Sequence, residues 1–159
     1  KHVTQLGMKV IFEPGRMIVG NAGILVTQVL YLKEGDARNF LIVDAAMNDL
    51  IRPTLYDAFH SIRPVVEPPA DRARIVADIV GPVCETGDFL ALDRDLPRLG
   101  SGDLIALGTA GAYGAVQAGT YNSRLLVPEV LVDGGRFHVV RPRPTYEQLI
   151  GLDSVPDWL

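Results

Sequence analysis

The sequence contains a single cysteine and no long uninterrupted run of apolar residues. One cysteine cannot form a disulfide within the chain, which is typical of proteins in a reducing, cytoplasmic compartment. No apolar run approaches the roughly 20 residues that a membrane-spanning helix needs. Residues 1–5 are not followed by the apolar segment of a secretory signal peptide. These absences predict a cytoplasmic protein that does not enter a membrane.

Positive charge and metal motifs are also scarce. The chain has 15 Lys and Arg residues against 19 Asp and Glu residues, a net charge of -4 and a pI near 5.3. Surfaces that bind nucleic acid or anionic membranes are basic, so neither partner is expected. His2, His60 and His138 lack the spacing of metal ligands, so we predict no metal site and interpret them as structural or surface residues. The chain contains no P-loop, zinc motif or serine-hydrolase elbow.

Apolar residues, in contrast, make up 48% of the chain, which is at the upper end for a soluble domain. A length of 159 residues is enough for one domain with a substantial core. We therefore expect part of the apolar surface to contact another chain or a further domain.

Short segments rich in β-branched and aromatic residues recur along most of the chain and predict strands. Asp133-Gly134-Gly135 is typical of a hairpin turn, and Lys33-Glu34-Gly35-Asp36 predicts another. The predicted strands are residues 24–32, 39–44, 74–80, 89–93, 103–107, 125–132 and 137–140. Strands at this spacing favour a mainly β domain, a β-barrel or sandwich, and residues 146–150 predict a closing helical turn.

The first 23 residues follow a different pattern. Met8 to Phe12 predict a short buried strand, and Met17 to Ala22 predict a helix that Gly23 ends. Such a βα step is stable only beside other parallel strands, which the sequence does not supply. The chain also lacks an initiator Met, so we expect a fragment in which residues 1–23 belong to a missing domain and residues 24–159 form a β-rich domain.

The only cysteine, Cys84, lies beside Glu85 in the segment 81–88, here called the cysteine bend. Gly81-Pro82 at its start is typical of a rigid turn after a strand. A thiol and a carboxylate on a rigid loop can be directed at one ligand. Taken alone, the pair is more typical of a small buried cysteine that ends a strand beside a solvated carboxylate.

Two other segments carry polar residues that suit a ligand. In Glu13-Pro14-Gly15-Arg16, Gly15 permits close approach of the backbone, and the amides of the following helix favour a phosphate. Arg16 adds a forked donor for a carboxylate or phosphate. Arg52 and Tyr56 lie four residues apart, on one face if Pro53 begins a helical turn. Each segment is also compatible with an ordinary turn or a solvated surface.

A third segment, 108–114, surrounds Tyr113 with small residues. The small residues leave room for the tyrosine ring to project from a closely packed backbone. Tyr113 is therefore either a ligand contact or a residue that fills a gap in the packing.

These segments, in this order, resemble the C-terminal part of the diaminopimelate decarboxylases, which are fold-type III pyridoxal-phosphate-dependent decarboxylases. The similar strings are Glu13-Pro14-Gly15-Arg16, residues 48–56, 81–88, 111–113 and 121–124, and the tail at 141–147. The resemblance implies that residues 1–23 are the last βα unit of an otherwise missing (β/α)8 barrel that binds the cofactor. Residues 24–159 would then be the C-terminal β domain.

The resemblance also assigns roles to the candidate residues. It implies that Cys84 is the proton donor and that pyridoxal 5'-phosphate is the cofactor. The implied cofactor contacts are Glu13, Gly15, Arg16 and Tyr113, and the implied substrate contacts are Arg16, Arg52, Tyr56, Glu85 and Tyr113. The family's enzymes are homodimers in which Cys84 and Glu85 would enter the active site of the partner subunit.

One departure from the family pattern limits the expected activity. The only lysines are Lys1, Lys9 and Lys33, and none matches the context of the family's Schiff-base lysine. The glycine-rich phosphate loop is absent too. We therefore expect a C-terminal fragment, inactive alone, of a lyase that converts meso-2,6-diaminopimelate to L-lysine and CO2 in lysine biosynthesis. The alternatives are an arginine or carboxynorspermidine decarboxylase, a non-catalytic dimerisation or regulatory β domain, and a small thiol hydrolase that uses Cys84 as nucleophile.

Overall fold

The computed structural model describes Gln5 and residues 7–159, and its regular structure is mainly strand, as the sequence predicts. The strands are β1 (Leu25–Lys33), β2 (Phe40–Val43), β3 (Ile62–Pro64), β4 (Arg74–Val80), β5 (Phe89–Pro97), β6 (Leu104–Leu107), β7 (Glu129–Asp133) and β8 (Arg136–Arg141). The α-helices are α1 (Arg16–Val19), α2 (Arg52–Tyr56) and α3 (Tyr146–Ile150). Single 3-10 turns span Gly20–Ala22, Ala115–Gln117 and Tyr121–Ser123.

Six strands form one sheet in the order β3-β6-β1-β2-β4-β5, which curves into a nearly closed barrel. Neighbouring strands are antiparallel except β2 and β4, which are parallel. The predicted first hairpin is confirmed, with Val29 opposite Val43 and Lys33 opposite Phe40. The parallel pair arises because β2 and β4 are not joined by a tight turn: the long connection between them contains α2 and β3. This connection also carries two of the candidate site residues, Arg52 and Tyr56.

The core lies inside this sheet and explains the strand pattern. Side chains of β1 alternate between buried and exposed at Thr27, Gln28 and Val29, as expected for a half-buried strand. The largest fully buried apolar side chains are Val29, Leu41, Val43, Leu50, Ile79, Leu90, Ile105 and Leu107. Their burial anchors the strand ends from which the candidate site loops extend.

The N-terminal prediction is only partly correct. Residues 8–12 form no strand in the structure, and their large apolar side chains are exposed, including Phe12 at 77%. A parallel strand needs neighbours to satisfy its backbone, and none of the described strands pairs with this segment. The predicted helix is present as α1 and the following 3-10 turn, and it begins one residue earlier than expected, at Arg16.

The C-terminal part confirms the second predicted hairpin and the final helix. Strands β7 and β8 pair through a turn in which Gly134 has φ +57°, but residues 125–128, which were expected to be strand, precede β7 without regular structure. Thr145 caps α3: its hydroxyl oxygen accepts a hydrogen bond from the Gln148 backbone N–H, and the Gln148 side-chain oxygen accepts one from the Thr145 backbone N–H. The hairpin exposes large apolar side chains on its surface, Leu131, Val132 and Phe137 among them. Within the described part of the chain, no helix has both the length and the apolar character needed to cross a membrane.

Candidate active site

The cysteine bend connects β4 to β5 and is held by one buried carboxylate. Asp88 is only 4% exposed, and its two oxygens accept the backbone N–H groups of Met47 and Val83, each at 2.6 Å. Gly81 must lack a side chain, because a Cβ there would lie within 2.6 Å of both Asp88 oxygens. Cys84 is a free cysteine and is exposed. The bend is therefore rigid at its base and presents its thiol outward.

Glu85 follows Cys84 on the exposed side of the bend. Its carboxylate accepts a long hydrogen bond from the Tyr121 hydroxyl at 3.4 Å. The Thr54 hydroxyl, which belongs to α2, donates to the carbonyl oxygen of Gly87. The bend is thus fixed to α2 and to the loop that carries Tyr121.

The loop that carries Tyr121 is itself fixed from the segment before α2. The Asn48 side-chain amide donates to the carbonyl oxygens of Gly119, at 3.0 Å, and Tyr121, at 2.8 Å. Asp49 beside it is buried, which raises the pKa of its carboxyl, and Arg124 lies 3.8 Å away. These contacts explain why the 48–56 and 121–124 strings belong to one structural unit.

Helix α2 forms as the sequence predicts, with Pro53 in its first turn. It ends at Asp57, whose left-handed backbone (φ 52°, ψ 36°) turns the chain back while its N–H bonds to the Arg52 carbonyl. Tyr56 is half exposed, and its hydroxyl accepts a hydrogen bond from the Gln117 side-chain amide at 3.3 Å. The Nε–H group of Arg52 is buried and has no hydrogen-bond partner among the described residues.

His60 lies next to Arg52 and is fully buried, at 0% exposed. Its Nδ1 is 2.9 Å from the Gly108 carbonyl oxygen, and its Nε2 is 3.4 Å from Arg52 Nη1. Burial lowers the pKa of His60, as do the positive charges of Arg52, Arg16 and Arg94, although the Gly108 hydrogen bond acts in the opposite direction. The ring is therefore neutral near neutral pH.

The N-terminal helix packs directly on the segment 108–114. Backbone hydrogen bonds join Ala110 N–H to the Gly23 carbonyl, at 2.8 Å, and Gly111 N–H to the Gly20 carbonyl, at 3.0 Å. A Cβ on Gly111 would lie 2.0 Å from the Val19 carbonyl oxygen, so only glycine permits this approach. The small residues around Tyr113 thus have a packing role, which the sequence left open.

The same contact brings Tyr113 to Gly15. Tyr113 has a left-handed backbone (φ 59°) and is 44% exposed. A Cβ on Gly15 would lie 3.0 Å from the Tyr113 hydroxyl oxygen, so the phenol stands directly over the bare backbone. Glu13 and Arg16, on either side, are exposed. Helix α1 has only four residues, so its dipole is weak, and the available backbone amides matter more for an anion.

The structure thus brings the predicted residues together in two groups. In one group, Gly15 lies against the Tyr113 hydroxyl. In the same group, Arg52 contacts His60, which in turn contacts Gly108 in the loop of Tyr113. The cysteine bend forms the other group, in which Glu85 contacts Tyr121. No hydrogen bond or salt bridge among the described residues connects Cys84 or Glu85 to the first group.

Sequence reasoning missed the importance of His60 and Asp88. Isolated His and Asp residues in a sequence are equally typical of surface positions, and only the fold shows that both are buried and bonded. His138 is exposed on β8, while His2 lies outside the described residues. Among the described residues, no group of three or more potential metal ligands occurs.

Comparison with known families assigns this arrangement. Residues 16–111 match the family described as "Pyridoxal-dependent decarboxylase, C-terminal sheet domain". The chain belongs to this family. The matched residues include α1 and the cysteine bend, and the resemblance noted from the sequence is confirmed.

Curated relatives of this sheet domain are diaminopimelate decarboxylases. The chain is 51% identical to the enzyme of Aquifex aeolicus over 142 residues, which are 89% of this chain and 33% of the relative. Identity to the enzyme of Neisseria meningitidis serogroup A is 53% over 141 residues, or 89% of this chain and 34% of the relative. The chain thus spans about a third of the length of these relatives.

A solved structure shows the same architecture. The diaminopimelate decarboxylase of M. jannaschii, crystallised in complex with L-lysine, superimposes with a TM-score of 0.86 at 37% identity, covering 92% of this chain and 33% of that one. The chain is therefore homologous to the C-terminal third of pyridoxal-phosphate-dependent diaminopimelate decarboxylases.

Proposed function

We propose that the protein carrying this chain decarboxylates meso-2,6-diaminopimelate to L-lysine and CO2 with pyridoxal 5'-phosphate. The observation that carries the proposal is about 50% identity to diaminopimelate decarboxylases over nine-tenths of the chain. In this proposal, residues 1–23 are the last βα unit of a cofactor-binding barrel and residues 24–159 are the C-terminal domain. The cofactor lysine belongs to the barrel, so this chain alone is inactive. The enzyme is cytoplasmic.

The residues near α1 fit one side of a pyridoxal-phosphate site. Gly15 offers bare backbone beneath the Tyr113 hydroxyl, and the exposed Glu13 and Arg16 flank it. In the proposal, Glu13, Gly15 and Arg16 lie at the phosphate and Tyr113 contacts both cofactor and substrate. When bound, the cofactor supplies the electron sink that accepts the electron pair left by departing CO2.

The substrate's non-reacting end explains the arginines. It carries a carboxylate and an ammonium group, which Arg16 and Arg52 bind on one side and Glu85 on the other, with Tyr56 as a further contact. The buried, unpartnered Nε–H of Arg52 supports this role, because an unpaired buried donor is costly unless a ligand accepts it. The L-lysine bound in the M. jannaschii enzyme keeps that same amino-acid end, which favours the assignment.

Cys84 protonates the substrate carbon after CO2 leaves. The bond between the α-carbon and the carboxylate breaks, its electron pair remains with the substrate, and the Cys84 Sγ–H supplies the proton. The resulting thiolate regains a proton from solvent. An exposed thiol on a bend fixed by Asp88 suits this task, since a positioned acid delivers its proton to one face.

The active site is completed between two subunits of a homodimer. In this proposal Cys84 and Glu85 act in the partner's site, and Arg52 and Tyr113 act in their own. The absence of a described polar contact between these two groups favours that arrangement.

A decarboxylation assay on the full-length protein tests the proposal. With pyridoxal phosphate present, CO2 release from meso-diaminopimelate should exceed that from L-ornithine, L-arginine or carboxynorspermidine by about 10⁴ or more, because a ligand without the distal carboxylate leaves the buried Nε–H of Arg52 unpaired. Comparable release from one of the other amino acids would replace the substrate assignment. Cofactor binding without any turnover would favour a non-catalytic domain.

A further inference from the structure

His60 is a fully buried side chain that contacts Arg52 and the backbone of Gly108, which begins the loop of Tyr113, and the proposed chemistry does not use it. A carbonyl oxygen only accepts hydrogen bonds, so the 2.9 Å contact with Gly108 places the ring proton on Nδ1. In the neutral ring, Nε2 is then an acceptor, and it faces Arg52 Nη1 at 3.4 Å. The tautomer is therefore fixed by the fold, and the acceptor side of the ring faces the guanidinium.

The chain path sets this contact. The left-handed residue Asp57 ends α2 and turns the backbone, and the Ala58 N–H also bonds to the Arg52 carbonyl at 3.3 Å. Three residues after Asp57, His60 enters the interior opposite the helix that carries Arg52. The Arg94 guanidinium carbon lies 3.8 Å from the centre of the ring of Phe59, the neighbour of His60.

The other side of His60 reaches the tyrosine loop. Gly108, which accepts from Nδ1, also donates its own N–H to the Ser61 carbonyl at 2.8 Å. His60 and Ser61 therefore bond both backbone groups of Gly108, its carbonyl oxygen and its N–H. The loop that begins there carries Tyr113 five residues later.

Arg52 is held by only one described side-chain contact. Its Nη1 donates to His60, while its Nε–H is buried and unpaired. A guanidinium is planar, so one fixed N–H direction determines where the remaining donors point. Without an acceptor at Nε2, Arg52 would lose the contact that selects this orientation.

We propose that His60 is a positioning residue that orients the Arg52 guanidinium toward the distal carboxylate of the ligand and ties it to the Gly108–Gly114 loop. This inference rests on the proposed decarboxylase function. His60 touches neither substrate nor cofactor; it acts through Arg52. Since the ligand's carboxylate is the group Arg52 binds, His60 governs selectivity for ligands that carry it.

Two substitutions separate the contact of Nδ1 with Gly108 from the contact of Nε2 with Arg52, because each keeps the polar group of one ring nitrogen. In His60→Asn, the amide nitrogen occupies the position of Nδ1 and keeps the bond to Gly108, but nothing faces Arg52. In His60→Gln, the amide reaches the position of Nε2 and offers Arg52 an oxygen. The surface substitution His138→Asn is the matched control, since His138 is exposed on β8.

The experiment measures inhibition of the full-length holoenzyme by L-lysine, which has the carboxylate, and by 1,5-diaminopentane, which does not. We expect His60→Asn to weaken inhibition by L-lysine about tenfold, the effect of misdirecting one charge-assisted hydrogen bond, and to leave inhibition by the diamine unchanged. The KM for meso-diaminopimelate should rise more than kcat falls. His60→Gln should recover part of the L-lysine affinity, and His138→Asn should match the wild type.

The outcomes distinguish this inference from the proposed function. If the wild type turns over meso-diaminopimelate but His60→Asn weakens both inhibitors equally, His60 has only a structural role and the inference is wrong. If His60→Asn does not fold, His60→Leu carries the test, because leucine fills a similar volume and offers Arg52 no acceptor. Selective loss of L-lysine inhibition then supports the inference, and equal loss of both inhibitors contradicts it. A wild type without turnover of meso-diaminopimelate contradicts the proposed function and, with it, this inference.

Discussion

The carboxylate of Asp88 accepts the backbone N–H of Val83 at 2.6 Å, from inside the same bend that presents Cys84. Its second oxygen accepts the N–H of Met47, in the segment that leads to α2. One buried side chain therefore fixes both the shape of the cysteine bend and its position relative to the helix of Arg52. In the proposed function Cys84 is a proton donor, which must be held within a fraction of an ångström of its target, and this carboxylate would provide the constraint.

We predict that Asp88→Asn destabilises the protein and lowers turnover. Asparagine keeps one acceptor but turns an NH2 group toward a backbone N–H, which leaves two buried donors facing each other. The free energy of unfolding should fall by about 1–3 kcal/mol, as measured by urea denaturation. The same change at the exposed Asp71 should have no measurable effect. Equal stability of the two variants would show that the Asp88 contacts do not support the fold.

Cys84→Ala tests the proton-donor role separately from the fold. The thiol is exposed and free, so its removal leaves no buried cavity and should not change stability. Turnover should fall by about 10²–10⁴, the usual contribution of a positioned acid, while the absorbance of the bound cofactor remains. Cys84→Ser should be intermediate, because a hydroxyl occupies the same place. Loss of the cofactor absorbance in Cys84→Ala would instead indicate a binding role.

The sequence predicted those parts of the fold that local residue patterns determine, and it failed where a distant partner is needed. The strand at 74–80 and the Asp133-Gly134-Gly135 hairpin depend on local pattern and turn chemistry, and both formed as expected. Residues 8–12 also have a strand pattern, but a strand needs a partner, and the sequence cannot show whether one is present.

The candidate site divides in the same way. Cys84 and Arg52 were found because unusual residue types stood in a recognisable order. The roles of His60 and Asp88 depend on contacts with residues 48 and 41 positions away, Gly108 and Met47, which no local pattern reports. Long-range hydrogen bonds of this kind become visible only when the fold has brought the segments together.

The contact between Gly15 and Tyr113 predicts a paired effect on cofactor binding. In Gly15→Ala, the added Cβ would lie 3.0 Å from the tyrosine hydroxyl, which is closer than ordinary van der Waals contact, so the phenol must shift. We expect weaker binding of pyridoxal phosphate, measured by titration of the cofactor absorbance. Tyr113→Phe removes the crowded oxygen, so Gly15→Ala should cost less affinity in the Tyr113→Phe background than in the wild type. Strictly additive effects would mean that the two residues do not interact.

His60 also predicts a specific pH dependence of stability. Burial keeps the pKa of His60 below its ordinary value in the folded protein, whereas in the unfolded chain the pKa of the imidazole is about 6.5. In the interval between the folded and unfolded pKa values, the unfolded chain binds a proton that the folded protein does not. Stability therefore rises with pH across this interval and is lost as the pH falls below about 6.5.

Urea denaturation of the wild type and of His60→Asn between pH 5 and pH 8 measures this contribution. The difference in unfolding free energy between them should be largest at the upper end, where the wild-type histidine is neutral in both states, and should shrink with acidification. The buried Asp49 and all other titrating groups are common to both proteins, so their contributions cancel. A difference that stays constant across this range would mean that His60 accepts a proton as readily when folded as when unfolded, which would contradict the lowering of its pKa by burial.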